Sequence, residues 1–401
     1  MNVSANPTHS EARWAVRLLR PFLPLILCVS IQAAPAGKAF IEQTDLFVAG
    51  QDGVFEYRIP GLITSNSGTL LAFCDARMTR AGDPPNKINL VLKRSRDGGR
   101  TWGALQTLAE NGNGAVADSC GVVDRTTGTL WIFSVYAPEG VGSANALPGL
   151  EGATFQFKAI KSDDDGVTWS KPIDLTPMVK KPEWSAGSTG IGCGLQLRSG
   201  RLVIPRYYAD YHQPRTTPVF GASYLSYSDD HGVTWKMGKA AIVEGGTNEC
   251  QVVELADGTL LLNLRGLQGN HRKVARSHDA GLTWSEVKED AALIEPRCQG
   301  SLQTYTNALT HDRSRLMFAN PASLERKNMT VRISYDEGQT WPVAKSLHTG
   351  PSAYSCLTVL ADQTPACLYE SGEKTPYEKI TFARFNLEWL TDGEDHLSAR
   401  R

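Results

Sequence analysis

Three kinds of side chain in this sequence could carry chemistry, and their spacing tells them apart. Aspartate recurs in a fixed frame, S-x-D-x-G-x-T-W, beginning at Ser95, Ser162, Ser228, Ser277 and Ser334. An aspartate-rich loop could hold calcium. Each frame, however, supplies too few regularly placed oxygens, and tryptophan has no ligand role. The Asp is better suited to accept bonds from turn backbone, the Gly to allow a tight bend and the Trp to pack between strands. The five frames therefore read as structural staples. Cysteine is the second kind. Cys74, Cys120, Cys193, Cys250, Cys298, Cys356 and Cys367 stand singly, without C-x-x-C spacing, which argues against zinc and for buried small hydrophobes. No metal and no cofactor is expected. Arginine is the third. Arg58 stands in the largely apolar run "FEYRIPGLI", where a solvated surface arginine is not expected, and its permanently charged planar fork matches the geometry of a carboxylate. Other arginines, such as Arg313 and Arg315, read as solvated surface residues.

These residues must be positioned by strands. Short β-rich runs precede each frame, and turn-fed runs such as "LRSGRLVIPRY" and "LADGTLLLNLR" lie between them. The frames return after 67, 66, 49 and 57 residues, so a whole composite unit repeats. Small antiparallel sheets repeated radially form a propeller. The spacing predicts an all-β, six-bladed β-propeller: five marked blades and one unmarked. The unmarked blade joins a strand near Leu46 to C-terminal strands such as "KITFARFNLEW". At 401 residues and 41% hydrophobic content the chain can bury a large core. Its 41 basic and 42 acidic residues leave a net charge of -1, with no basic stripe for nucleic acid. Arg13, Arg17 and Arg20 precede the apolar run "PFLPLILCVSI" and the small residues "QAAPAG". That run is too short for a membrane span and reads as a signal peptide over 1–36, with one domain over 37–401. Export follows: periplasmic or extracellular in a bacterium, lysosomal or secreted in a eukaryote.

The stretch Tyr57-Arg58-Ile59-Pro60 resembles the F/Y-R-I-P motif of the sialidases, bacterial and animal lysosomal-type alike. The five aspartate frames are also a hallmark of that family. "NECQVVELADGTLLLNLR", "FANPASLERKNMTVRISYDEGQTW", "GPSAYSCLTVL" and "CLYE" follow in the family's order. The resemblance runs from about residue 50 to the C-terminus. It implies a six-bladed propeller acting on sialylated glycans, glycoproteins or glycolipids, as an exo-sialidase that retains anomeric configuration.

By motif, the resemblance puts the arginines that bind the sugar carboxylate at Arg58, Arg265 and Arg326. It puts the glutamate that orients the first of them at Glu370. Arg77 corresponds to a further pocket arginine, and Asp75 stands where many relatives carry Glu. Tyr354 matches the nucleophile, Glu249 its base and Asp83 the acid/base. A phenol suits a substrate that already carries a carboxylate at the reacting carbon, because a carboxylate nucleophile would meet a like charge. The same arginines would also serve a glycosidase of deaminated sialic acid (Kdn) or a related ulosonic acid. A non-catalytic carbohydrate-binding propeller would keep the aspartate frames and lose one of these groups.

Overall fold

The computed structural model describes residues 37–210 and 220–398; the leader expected over 1–36 lies outside them. Among the described residues the chain is almost entirely β, with only two four-residue helices, Thr176–Val179 and Leu387–Leu390. The hydrogen-bond ladders form four sheets, of nine, seven, five and four strands. They are not six separate ones, and the reason lies in two junctions. The nine-stranded sheet consists of two four-stranded antiparallel meanders joined at a single parallel residue pair, Ile88 with Ala115, and of the short strand Gly192–Cys193, which pairs in parallel with Ala115–Val123. The seven-stranded sheet consists of two meanders that share the 17-residue strand Val343–Val359. That strand pairs with Lys327–Ser334 up to Pro351 and with Pro365–Ser371 from Ser352 onward. The N-terminal strand Ile41–Val48 pairs with Lys379–Phe385, so the two ends of the chain close one sheet as expected.

Burial falls from the first strand of a meander to the last. All nine residues of Glu56–Thr64 are buried, whereas most of Lys288–Ile294 and half of Ile41–Val48 are exposed. First strands are packed on both faces, which suits their near-continuous apolar sequence. Apolar clusters fill the spaces between sheets; one joins Phe133 and Phe157 to Ile204 and Trp235. The seven cysteines among the described residues are free thiols, and all but Cys193 are buried. Arg315 corrects the reading of that residue as solvated. It is fully buried and holds Asp395 at 2.7 Å and Asp312 at 2.9 Å. Asp312 is local, but the partner that accounts for the burial, Asp395, is 80 residues away.

The aspartate frames close one turn each, in the same way. In the second, Asp164 Oδ1 accepts from Ser162 Oγ (2.8 Å) and Thr168 N (2.9 Å), and Oδ2 accepts from Thr168 Oγ1 (2.6 Å). Trp169 Nε1 donates to Gly166 O at 3.2 Å, as Trp102 and Trp235 do to their own frame glycines, whereas Trp284 and Trp341 donate to Lys239 O and Asp290 Oδ2. The fourth residue of every frame has positive φ, including Asp165, His231, Ala280 and Glu337, and so does the glycine after it. At Gly232 a Cβ would lie 2.5 Å from the Trp131 ring, so glycine is required there for space as well as for φ. The hydroxyl and amide of Thr168 hold Asp164 down at about 2. Asp279 also falls to about 2, where burial pushes it up and the bonds from Thr283 outweigh that. Carboxylates depressed in the folded state add stability above their unfolded pKa, near 4, and lose it as pH falls toward 2. Asp279→Ala is expected to lower the Tm by about 2–4 °C at neutral pH. That loss should shrink toward pH 2, with kcat unchanged throughout. Differential scanning fluorimetry at several pH values, alongside a rate assay, checks this.

Candidate active site

Arg58, Glu249 and Tyr354 come from the first strands of three meanders, beside or within a local irregularity, whereas Arg77, Arg265 and Glu370 lie on second strands and Asp83 and Arg326 in loops. Register shifts interrupt the pairing between Arg58 and Gly61, between Ala117 and Cys120, between Thr247 and Cys250, and between Ser352 and Ser355. A bulge turns a side chain out of the pleat and is common beside active sites. Here the four bulges carry Ile59, Asp118, Glu249 and Tyr354. Ile59 and Asp118 have φ of 63° and 54°, a strained setting for a β-branched residue in particular.

Glu370 fixes two of these strands to each other. It is fully buried. Its Oε1 accepts from Arg58 Nε at 2.6 Å and from Ile59 N at 2.8 Å, and its Oε2 accepts from Tyr354 N at 2.9 Å. The strained peptide of Ile59 thus finds a charged partner. Tyr354 Oη donates to Glu249 Oε1 at 2.5 Å, and Arg265 Nη1 lies 2.6 Å from Glu249 Oε2 and 3.0 Å from Tyr354 Oη. Burial, and then the charge of Glu249, push the Tyr354 phenol well above its ordinary value, against the pull of Arg265 and Arg326. The phenol therefore stays protonated unless its neighbour takes the proton. Arg265 Nε is buried without a partner among the described residues. Arg326 donates to Tyr377 Oη at 2.9 Å and to Arg297 O at 3.4 Å.

Arg58, Arg265, Arg326, Glu249, Tyr354 and Asp83 line one cavity of about 220 Å³. Its remaining wall is apolar at Ala117, Val135, Phe155 and Ala186, and acidic at Asp75 and Asp118. Six of the eight residues singled out from the sequence are therefore brought together around one space, and Glu370 stands directly behind it. Arg77 does not line the cavity. It is buried and paired, with Nη1 3.0 Å from Glu56 Oε2 and Nη2 2.5 Å from Asp83 Oδ1. The Asp83 side chain itself is 78% exposed, so Arg77 holds in place a loop carboxylate that stays open to solvent.

Sequence reasoning missed Asp118 and Tyr377. Asp118 interrupts the apolar run "GAVADSCGVV", the same kind of signal that drew attention to Arg58. Both oxygens of buried Asp75 face its amide, at 3.2 and 3.3 Å. Burial and the charges of Asp83 and Glu249 push the Asp118 carboxyl up to about 7. Tyr377 sits in the polar stretch "EKTPYEK", and nothing in its spacing points to the site.

Known proteins share this arrangement of strands and repeats. The BNR repeat-like domain family matches residues 68–366. Sialidase-3 of Mus musculus is 32% identical over 403 residues, with 86% of this chain and 94% of that protein covered. The chain belongs to the sialidase family. A sialidase of Micromonospora viridifaciens is 37% identical over 372 residues, covering 89% of this chain and 55% of that protein. A sialidase of Bacteroides fragilis is 37% identical over 346 residues, covering 81% of this chain and 61% of that protein. The chain thus spans little more than half the length of these two bacterial sialidases. Among solved structures, the Hadza microbial sialidase Hz136 superposes with a TM-score of 0.79 at 34% identity, covering 87% of this chain and 69% of that one. The fold is that of the β-propeller sialidases.

Proposed function

We propose that this chain is a retaining exo-sialidase that hydrolyses terminal α-linked sialic acids from glycans, glycoproteins or glycolipids. The observation that carries the reading is the contact of Tyr354 Oη with Glu249 at 2.5 Å, in a cavity lined by Arg58, Arg265 and Arg326. A tyrosine bonded to a buried glutamate beside three cations suits attack on an anomeric carbon that bears a carboxylate. The arginines hold that carboxylate through charge-assisted bonds. Tyr354 Oη attacks the anomeric carbon as its proton passes to Glu249 Oε1. The glycosidic C–O bond breaks, and the leaving oxygen takes the proton of Asp83. Asp83 then removes a proton from water, which displaces Tyr354 as Glu249 returns its proton to the phenol oxygen, and the sugar leaves with its original configuration. Arg77 keeps Asp83 at the cavity mouth during both steps. The mature enzyme comprises residues 37–401, exported by the leader over 1–36.

The same reading includes six blades. Dividing the nine-stranded sheet at the Ile88–Ala115 pair and the seven-stranded sheet between Pro351 and Ser352 gives four meanders. The five-stranded and four-stranded sheets supply one each.

The test is product analysis. Proton NMR of the reaction with an α-sialoside should detect α-sialic acid first, with the β-anomer growing in by mutarotation. Release of the β-anomer first would rule out double displacement, and no release at all would rule out the activity.

A further inference from the structure

We propose that Tyr377 is a positioning residue for the anion site, one that sets Arg58 and Arg326 apart and aims both without cancelling their charge. The inference rests on the carboxylate-anchoring reading above.

Three guanidinium groups that share a cavity repel one another, and each needs a reason to stay. Arg58 is paired with Glu370 and Arg265 with Glu249, both at 2.6 Å. Arg326 has no carboxylate partner among the described residues. Its Nη1 donates instead to the Tyr377 hydroxyl at 2.9 Å, and its guanidinium lies 5.4 Å from the Tyr354 ring centroid. The Tyr377 ring meets Arg58 as well, with the guanidinium carbon 4.0 Å from its centroid. A single phenol therefore presents its electron-rich face to one cation and its oxygen lone pair to the other.

The choice of a neutral group has a consequence for binding. Among the described residues in direct contact with the three arginines the only carboxylates are Glu370 and Glu249, which leaves one positive charge at the anchor for a monoanion, while Asp75, Asp83 and Asp118 line the rest of the cavity. A carboxylate in place of the phenol would order Arg326 as well, but would remove that charge. Tyr377 is also held in advance. The Glu378 carboxylate accepts from the amides of Glu373, Lys374 and Thr375 at 3.0, 2.8 and 2.9 Å. Glu378 O accepts from Ala49 N at 3.0 Å. The loop is braced from within and tied to a neighbouring turn, so binding need not order it. Tyr377 packs against the cluster of Ile59 and Tyr354 yet does not line the cavity. It acts through the arginines.

The experiment uses the full chain and two probes, 2-deoxy-2,3-didehydro-N-acetylneuraminic acid and its methyl ester, titrated by calorimetry alongside steady-state kinetics. For Tyr377→Phe, the Kd of the acid and the KM are expected to rise about tenfold, the loss of one hydrogen bond to a charged group. Its kcat should stay within about twofold of wild type, and the ester should bind as before. Tyr377→Leu should weaken the acid about threefold more, through loss of the ring face. Tyr377→Glu should abolish the preference for acid over ester while leaving the melting temperature near that of wild type. Tyr377→Phe binding the acid as tightly as wild type overturns the proposal. So does an equal loss for acid and ester, which would mark a merely structural role. A wild-type protein that does not distinguish acid from ester fails differently, because it overturns the anion-site reading itself.

Discussion

Tyr354→Phe is expected to lower kcat by at least about a thousandfold while leaving the fold and the anion site intact. The substitution removes one oxygen from a buried ring and adds nothing that must be accommodated. Arg265 keeps its 2.6 Å pairing with Glu249, and Glu370 keeps its bond to the backbone amide of residue 354, which does not depend on the side chain. What disappears is the atom that would bond to the anomeric carbon and the proton that Glu249 would accept. Glu249 is not an equivalent substitute, since its carboxylate would approach a carbon that already bears one. Rates with natural and aryl sialosides, together with a melting curve, test this. Thermal stability should move by no more than about 2 °C, and the Kd of a sialic acid analogue should be nearly unchanged. A 3-fluorosialyl fluoride should leave its mass on the Tyr354 peptide of the wild-type protein and on no peptide of the variant. Wild-type turnover in the variant, or a label that maps to Glu249, would overturn the assignment of the nucleophile.

Much of this arrangement was legible in the sequence, and the rest was hidden for physical reasons. The aspartate frames are local devices. Each closes its turn with atoms from residues no more than four apart, as in Ser162, Asp164, Gly166 and Thr168, so five frames imply five similar turns. Arg58 and Asp118 were equally visible, as charges inside apolar strands. The junctions between meanders were not. Whether Val343–Val359 is one strand or two depends on pairing with Lys327–Ser334 and Pro365–Ser371, and both of those pairings are tertiary. The bulges were hidden too. "ECQVV" and "AYSCL" read as plain strands, and only the closed ring of neighbours decides where the register slips. Arg77 was placed among substrate contacts because residue order cannot show which way a guanidinium turns. In the fold it turns to Glu56 and Asp83. Tyr377 acts through Arg326, 51 residues away, and a polar loop gives no sign of such a partner.

The chemistry also imposes a demand on the protein behind the cavity, and Glu370→Gln exposes it. Glu370 accepts three hydrogen bonds from three donors, Arg58 Nε, Ile59 N and Tyr354 N. A carboxylate has only acceptors and satisfies all three. A glutamine has one oxygen, so its amide NH2 must face at least one N–H, donor against donor. Arg58, only 6% exposed, would at the same time lose its counter-charge. Breaking a buried pair from one side costs about 3–5 kcal/mol, and one backbone amide, that of Ile59 or of Tyr354, would be left poorly paired as well. The expected result is a fall in Tm of about 5–10 °C. The protein that remains folded at 20 °C should show at least about a hundredfold loss in kcat/KM, because Arg58 loses its counter-charge and either its own hydrogen bond or that of the Tyr354 peptide is broken. The double variant Arg58→Met, Glu370→Gln separates the two effects. It removes the stranded cation and should recover part of the lost Tm while recovering none of the activity. Melting curves and kcat/KM for the four members of this cycle decide the matter. If Glu370→Gln kept wild-type stability, the ion pair would not be what fixes the Ile59 strain. If the double variant regained activity, Arg58 would not be a carboxylate anchor.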